Sequence, residues 1–284
     1  MRTGSTPTHL PVGVSDTGLD HVGLVGGDLA AMRAALQRLG FFLTPAAELQ
    51  TQQPTTGVVV NLGQCSSHAV LQRGYLELTA VTSTGPQHHL AAYRHLGPGL
   101  QIVALQSADI VASHAACVVS KLPAGPIQDA RREIDYGQRF GTARFQWFML
   151  QPDAAPFGLM CWVNNLNPEL VYQDAVMRHP NGAVSLEAVE ICSQSAAPVQ
   201  RIFSSVGATL AHRLHWMTPD AWCAMFGESG LAQARERFAA IVIRVADLAA
   251  TAALLRHAGS AATHVNGRLY VPAGEACGAA IVFE

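Results

Sequence analysis

Charge is scarce in this chain. Of 284 residues only 13% are Asp, Glu, Lys or Arg, the formal net charge is −2, and Lys121 is the single lysine among 18 basic residues. No basic stripe or block stands out, so neither nucleic acid nor an anionic membrane surface is indicated as a partner. Cysteine occurs six times (65, 117, 161, 192, 223 and 277), never as a CxxC pair and never at zinc-finger spacing from histidine. That usage predicts reduced thiols and a cytoplasmic location. No apolar run reaches membrane length; the stretch from Ala239 to Leu255 is interrupted by Arg244 and Asp247. Residues 1–18 are polar, carry Pro and Gly, lack the apolar centre of a signal peptide and read as a flexible leader. A Walker loop and HExxH are missing. Gly227-Glu228-Ser229-Gly230 has the wrong spacing for a nucleophile elbow, and Gly97-Pro98-Gly99 lacks the third glycine and the preceding strand of a dinucleotide fingerprint.

What the chain does have is apolar residues, 49% of the total, enough for sizeable cores in one large or two ordinary domains. The plainest pattern lies near the start. Leu19-Asp20-His21-Val22-Gly23-Leu24 reads as a short strand, and Asp28 stands where a helix N-cap belongs. Leu29, Met32, Leu36 and Leu39 then recur at helical spacing up to Gly40, a natural residue beyond a C-cap, while Arg33 lies on the opposite face. Val58 to Leu62, Ser67 to Gln72 and Gly74 to Val81 follow as three strand-like runs. Alternation along a strand sends Val22 and Leu24 toward the helix and His21 to the other face. The same logic opposes Leu76 and Leu78 to Tyr75 and Glu77. His21 and Glu77 are therefore predicted to share one concave face, with His68 on a neighbouring strand.

The strand–helix start recurs three times. Gln101 to Leu105 precedes Asp109 and a helical run to Lys121 stopped by Pro123, with later strands at Ala143 to Leu150 and Phe157 to Val163. Val184 to Ile191 precedes Ser195 and a helical run to Gly207, but its later strands are not visible. Ala240 to Val245 precedes Asp247-Leu248-Ala249-Ala250, which ends at Gly259 as Asp28-Leu29-Ala30-Ala31 ends at Gly40; Arg268 to Val271 and Ala279 to Glu284 complete that unit. The predicted class is α+β. Four tandem βαβββ modules, the third poorly defined, are predicted in two pairs over 19–170 and 171–284. Residues 82–98, with His88, His89 and His95, read as a linker with exposed histidines. Tyr136, Phe145, Trp147, Phe148 and Trp162 read as core or as the wall of an apolar pocket. Aligned on the cap residues, the position of His21 is filled by Ile102, Ala188 and Ala240 in the later modules, with Gln101 and Glu187 one residue away.

This organisation resembles the vicinal oxygen chelate superfamily of glyoxalases, bleomycin-resistance proteins and extradiol dioxygenases. The resemblance rests on Leu19-Asp20-His21-Val22, Asp28-Leu29 and Tyr75-Leu76-Glu77-Leu78. Within it the chain is similar to bacterial glyoxalase-like domain proteins, through Asn-Pro-Glu-Leu-Val-Tyr at 167–172 and His-Pro-Asn-Gly-Ala at 179–183. Those proteins commonly carry histidine where this chain has Asn165. The resemblance implies that the paired modules form two cup-shaped mixed sheets with helices outside, with a small organic substrate in the first cup and a divalent metal there, Mn, Fe, Ni or Zn. His21 and Glu77 would be ligands, with His68 or Gln101 completing the set, and Glu77 or His68 would move a proton. It admits isomerase, lyase or dioxygenase chemistry and a homodimer. The missing ligands of the later modules leave a metal-free sequestering protein as the alternative.

Overall fold

The computed structural model describes residues 18–53, 56–83, 85, 88–206 and 212–284. The expected leader, apart from Gly18, and the helix stop at Gly207 lie outside the described residues. The first module runs β1 (Leu19–Gly26), α1 (Leu29–Arg38), β2 (Ala47–Gln52), β3 (Val59–Val70) and β4 (Tyr75–Val81). Asp28 caps α1 by accepting from the Ala31 N–H at 3.0 Å, and Met32 and Leu36 face the sheet. The second runs β5 (Gly99–Gln106), α2 (Ile110–Val119), β6 (Gln128–Ile134), β7 (Gly141–Met149) and β8 (Leu159–Asn165). In each module the first and last strands pair in parallel; β1 and β5 join the two modules antiparallel. The eight strands close into one barrel in the order β1-β4-β3-β2-β6-β7-β8-β5.

Two strands differ from expectation for one physical reason. The runs 58–62 and 67–72 belong to a single strand, β3, whereas β2 was not visible in the sequence. Ala-Glu-Leu-Gln-Thr-Gln at 47–52 has no buried face and hence no apolar alternation to read. Gln-Asp-Ala-Arg-Arg-Glu-Ile at 128–134 was missed in the same way, although its alternate residues Ala130, Arg132 and Ile134 are buried.

After α3 (Pro168–Val171) a second sheet follows, built from β9 (Ala183–Cys192), β10 (Leu214–Met217), β11 (Arg237–Val245), β12 (Thr263–Val265), β13 (Arg268–Val271) and β14 (Ala280–Phe283). The helices are α4 (Ala197–Val206), α5 (Pro219–Phe226) and α6 (Leu248–His257), and the sheet order is β10-β9-β11-β14-β13-β12. In the third module β10 lies parallel on β9, where the first module has β4, and the two middle strands are absent among the described residues. α5 comes instead. Its Trp222, fully buried, packs with Ala188, Ala240, Val242 and Tyr270 on the face corresponding to a cup, and the indole N–H donates to the Gly230 carbonyl at 2.8 Å. That cup is filled. Trp222→Ala is expected to cost about 3–5 kcal/mol in urea unfolding; a loss below about 1 kcal/mol would show that the plug is loosely packed.

The helix-side layers of both sheets form one apolar cluster, in which Leu36, Leu105, Phe148, Trp162, Ile241, Leu255 and Phe283 are continuous. His179 and Asn181 sit at this joint. The His179 ring accepts from the Phe42 N–H and bonds the Val70 carbonyl, while Asn181 donates to the Leu39 carbonyl. The His-Pro-Asn-Gly-Ala stretch thus ties the second sheet to the first module. No helix among the described residues is long and apolar enough to cross a membrane.

Candidate functional site

β1 and β4 run parallel with Gly23 beside Glu77 and His21 beside Tyr75, so His21 and Glu77 project from adjacent strands into the barrel. Their side chains meet: His21 Nε2 lies 3.6 Å from Glu77 Oε2. Gly23 supplies space at this point, since a Cβ there would stand 2.7 Å from the Ile102 side chain. The imidazole is oriented by Asp20, whose Oδ1 takes the Nδ1–H at 2.7 Å, and it stacks on Tyr75 with centroids 4.5 Å apart. Glu77 Oε1 accepts from Ser66 Oγ at 2.6 Å, Thr79 Oγ1 at 2.7 Å and Gln64 Nε2 at 3.3 Å. Burial pushes the Glu77 carboxyl up, but His21, the two hydroxyls and Arg132 together hold it below its ordinary value.

The cavity above this pair is narrow, about 70 Å³, with polar residues at His21, Gln64, Glu77, His89 and Arg132 and a largely apolar wall that includes Ile102, Phe145, Trp147, Leu159 and Val163. His89 corrects the reading of 82–98 as an exposed linker. It is half-buried against Trp147, and His88 is buried beside it; only His95 of the three is exposed. Of the aromatic cluster, Phe145 and Trp147 line the cavity, whereas Phe148 and Trp162 stack on each other in the helix-side core.

His68 and Gln101 do not join the pair. His68 lies opposite Glu77 in the β3–β4 ladder, but its Nε2 accepts from Arg132 Nη1 and its Nδ1 faces Thr44 Oγ1 at 3.4 Å. Burial first, then the charges of Arg132 and His21, keep the His68 imidazole neutral far below its ordinary range. Gln101 falls where the β1–β5 register slips, between the Gly23–Ile102 and Leu24–Leu100 pairs, and its amide donates to the Gly97 carbonyl at 2.6 Å. It lines a different hollow, with Val25, Val81 and Arg94. Arg132 was missed because its strand was missed. It is 3% exposed, and its guanidinium lies 5.9 Å from the Tyr75 centroid and 5.6 Å from that of Phe145.

A metal centre is the other test of this geometry. In the second module the positions matching His21 and Glu77 by register are Ile102 and Cys161. Isoleucine has no donor atom, and Cys161 is buried, which pushes its thiol up. His68 is engaged by a guanidinium, whose fixed positive charge disfavours a second cation nearby. Among the described residues no group of three or more His, Cys, Asp or Glu side chains converges. The donors the cavity does offer are His21, Glu77 and the unpartnered Gln64 Oε1.

Two βαβββ modules closed around a shared chamber define the vicinal oxygen chelate class of fold. Residues 19–207 match the family model described as Glyoxalase-like domain, and the chain belongs to that family. Among solved structures, a hypothetical protein from Staphylococcus aureus superposes with TM-score 0.58 at 10% identity, covering 94% of this chain and 98% of that one. A mutant of 4-hydroxymandelate synthase from Streptomyces coelicolor gives 0.57 at 10% identity, covering 94% and 92%. A xylose isomerase-like TIM barrel/4-hydroxyphenylpyruvate dioxygenase fusion protein gives 0.53 at 14%, covering 91% of this chain and 41% of that one. These likenesses show the fold. No curated protein matches the sequence.

The histidines imply acid lability. Burial keeps His68, His88 and His179 neutral below their ordinary range and pushes His89 down to about 4. In the unfolded chain they protonate near about 6.5. Between about 6.5 and 4 the unfolded state therefore binds more protons, and stability falls as pH falls. Melting followed by circular dichroism is expected to show a falling midpoint across that window, with a shallower slope in His89→Gln. Equal slopes for the two proteins would remove His89 from the account.

Proposed function

We propose that the first module pair is the reaction chamber of a glyoxalase-like enzyme that moves a proton on a small, mostly apolar carbonyl compound. The observation that carries this reading is the buried imidazole–carboxylate pair 3.6 Å apart in an otherwise apolar wall. Nδ1–H is given to Asp20, so Nε2 faces Oε2 across the gap. The gap between them suits one proton, or a donor on the ligand. Glu77, held ionised, takes the proton from a carbon next to the substrate carbonyl; the C–H electron pair moves into an enolate, with the charge on oxygen. The guanidinium of Arg132 lines the same cavity and favours that negative charge. The proton passes between Glu77 and His21 and returns to carbon, which makes the outcome an isomerisation or epimerisation. Asp20 orients the imidazole, and Tyr75 holds it by stacking.

Incubating the protein in D₂O with a panel of small enolisable aldehydes, ketones, acids and thioesters tests this. At least one compound is expected to exchange its α-proton faster than in buffer, by NMR, and dialysis against EDTA is expected to leave that rate unchanged. Exchange that disappears with EDTA and returns with Mn, Fe, Ni or Zn would overturn the metal-independent mechanism. A chamber that binds compounds from the panel but exchanges none would make this a sequestering protein.

A further inference from the structure

The geometry points to a carboxylate on the ligand, received by Arg132; this rests on the first module pair being the ligand site and names the substrate class of that site. Arg132 is nearly fully buried and lines the cavity. Its Nη1 donates to the His68 imidazole, an uncharged acceptor, while Nε and Nη2 are buried with no hydrogen-bond partner, although the Tyr136 hydroxyl lies near. Among the described residues no carboxylate pairs with it; Glu77 spends its oxygens on Ser66, Thr79, Gln64 and His21.

A buried guanidinium with no carboxylate in hydrogen-bond contact opposes folding and persists where a ligand supplies that contact. The two unpartnered nitrogens form the planar edge that matches both oxygens of one carboxylate. Tyr75 and Phe145 lie near this guanidinium at cation–π distances, so the ligand's acceptor is met by its edge. His68 is a positioning residue: neutral, and held between Thr44 and Arg132, it fixes where that edge stands. The other unpartnered buried atom in the wall, Gln64 Oε1, is an acceptor and suits a ligand N–H or O–H. With Phe145, Trp147, Leu159 and Val163 around the cavity, the rest of the ligand is apolar and small. A compact monocarboxylic acid, its α-carbon toward Glu77, satisfies the guanidinium edge and the apolar wall, and a hydroxyl or amino group on it would also meet Gln64 Oε1.

The test uses the full chain and two acid–amide pairs, isobutyrate with isobutyramide and phenylacetate with phenylacetamide, with inorganic phosphate as a further probe. In titration calorimetry at least one acid is expected to bind at least about tenfold more tightly than its amide, a 1.4 kcal/mol difference. Arg132→Met is expected to fold and to lose that preference. Arg132→Lys, which keeps the charge and loses the planar edge, is expected to weaken the acid by about tenfold. Acid and amide binding alike, Arg132→Lys binding as the wild type does, or phosphate binding as tightly as the acids would each overturn the proposal. If Arg132→Met fails to fold, the acid–amide comparison on the wild type and the lysine variant still decide. Acid binding without α-proton exchange would leave the carboxylate site standing and sink the proposed reaction. Exchange on neutral carbonyl compounds, with no preference for acids, would do the reverse.

Discussion

Glu77→Gln is expected to lower the rate of α-proton exchange by about 10²–10⁴-fold while the chain keeps its fold. Glutamine preserves the shape of the side chain and a carbonyl oxygen for Ser66 Oγ and Thr79 Oγ1, which stand 2.6 and 2.7 Å from Glu77 Oε1. What it removes is the anionic oxygen basic enough to take the proton. The wild-type pH profile carries a second signature. Burial raises the Glu77 carboxyl, yet His21, the two hydroxyls and Arg132 bring it below its ordinary value. Its depressed pKa makes the base fully present at neutral pH, and activity falls only in acid, below about 4.3. Stability linked to this group follows the same sign: present above that pH and lost as pH falls through the folded value. A substrate whose exchange rate is the same in Glu77→Gln, or a profile that turns down near neutrality and is unaltered in His21→Gln, would remove this pair from the chemistry.

Leu36→Ala is expected to destabilise the chain by about 2–5 kcal/mol in urea unfolding. Leu36 is fully buried and belongs to the apolar layer that both sheets share, so the loss is expected to appear as a shift of one transition for the whole chain. Two separate transitions, only one of them moved, would show that the halves unfold independently. Arg33→Ala is the informative companion. On the helix it faces away from the apolar stripe, which predicts little effect, but its guanidinium reaches the Thr44 carbonyl at 2.5 Å and also Ser67 Oγ. Losing charge-assisted bonds of this kind costs about 1.5–3 kcal/mol, so the helix has a second face that matters.

The parts legible in the sequence are those set by neighbours along the chain. Asp28, Asp109 and Asp247 each cap a helix by accepting from the N–H three residues on, an interaction within a single turn. Alternation in β1 and β4 turned His21 and Glu77 to one face, since a period of two needs no partner strand to define it. That the third module shows no middle strands among the described residues was legible too, as a region without β pattern. Its filled cup was not, because Trp222 finds that face only once α5 has docked on the sheet.

Long-range register decided the rest. A register slip between β1 and β5 leaves Gln101 outside the ladder, its amide on the Gly97 carbonyl, and no local pattern encodes a slip between two strands. β2 and β6 are strands because the barrel closes through them; β2 has no buried face, and in β6 Arg132 interrupts the buried alternation of Ala130 and Ile134. Closure also buries Arg132, 64 residues from the His68 it donates to. A charged residue in a charged stretch reads as solvent-facing until the chain folds back over it. Whether it ends in water or in a dry wall with two free N–H groups depends on contacts made across the barrel, and only the tertiary structure makes those.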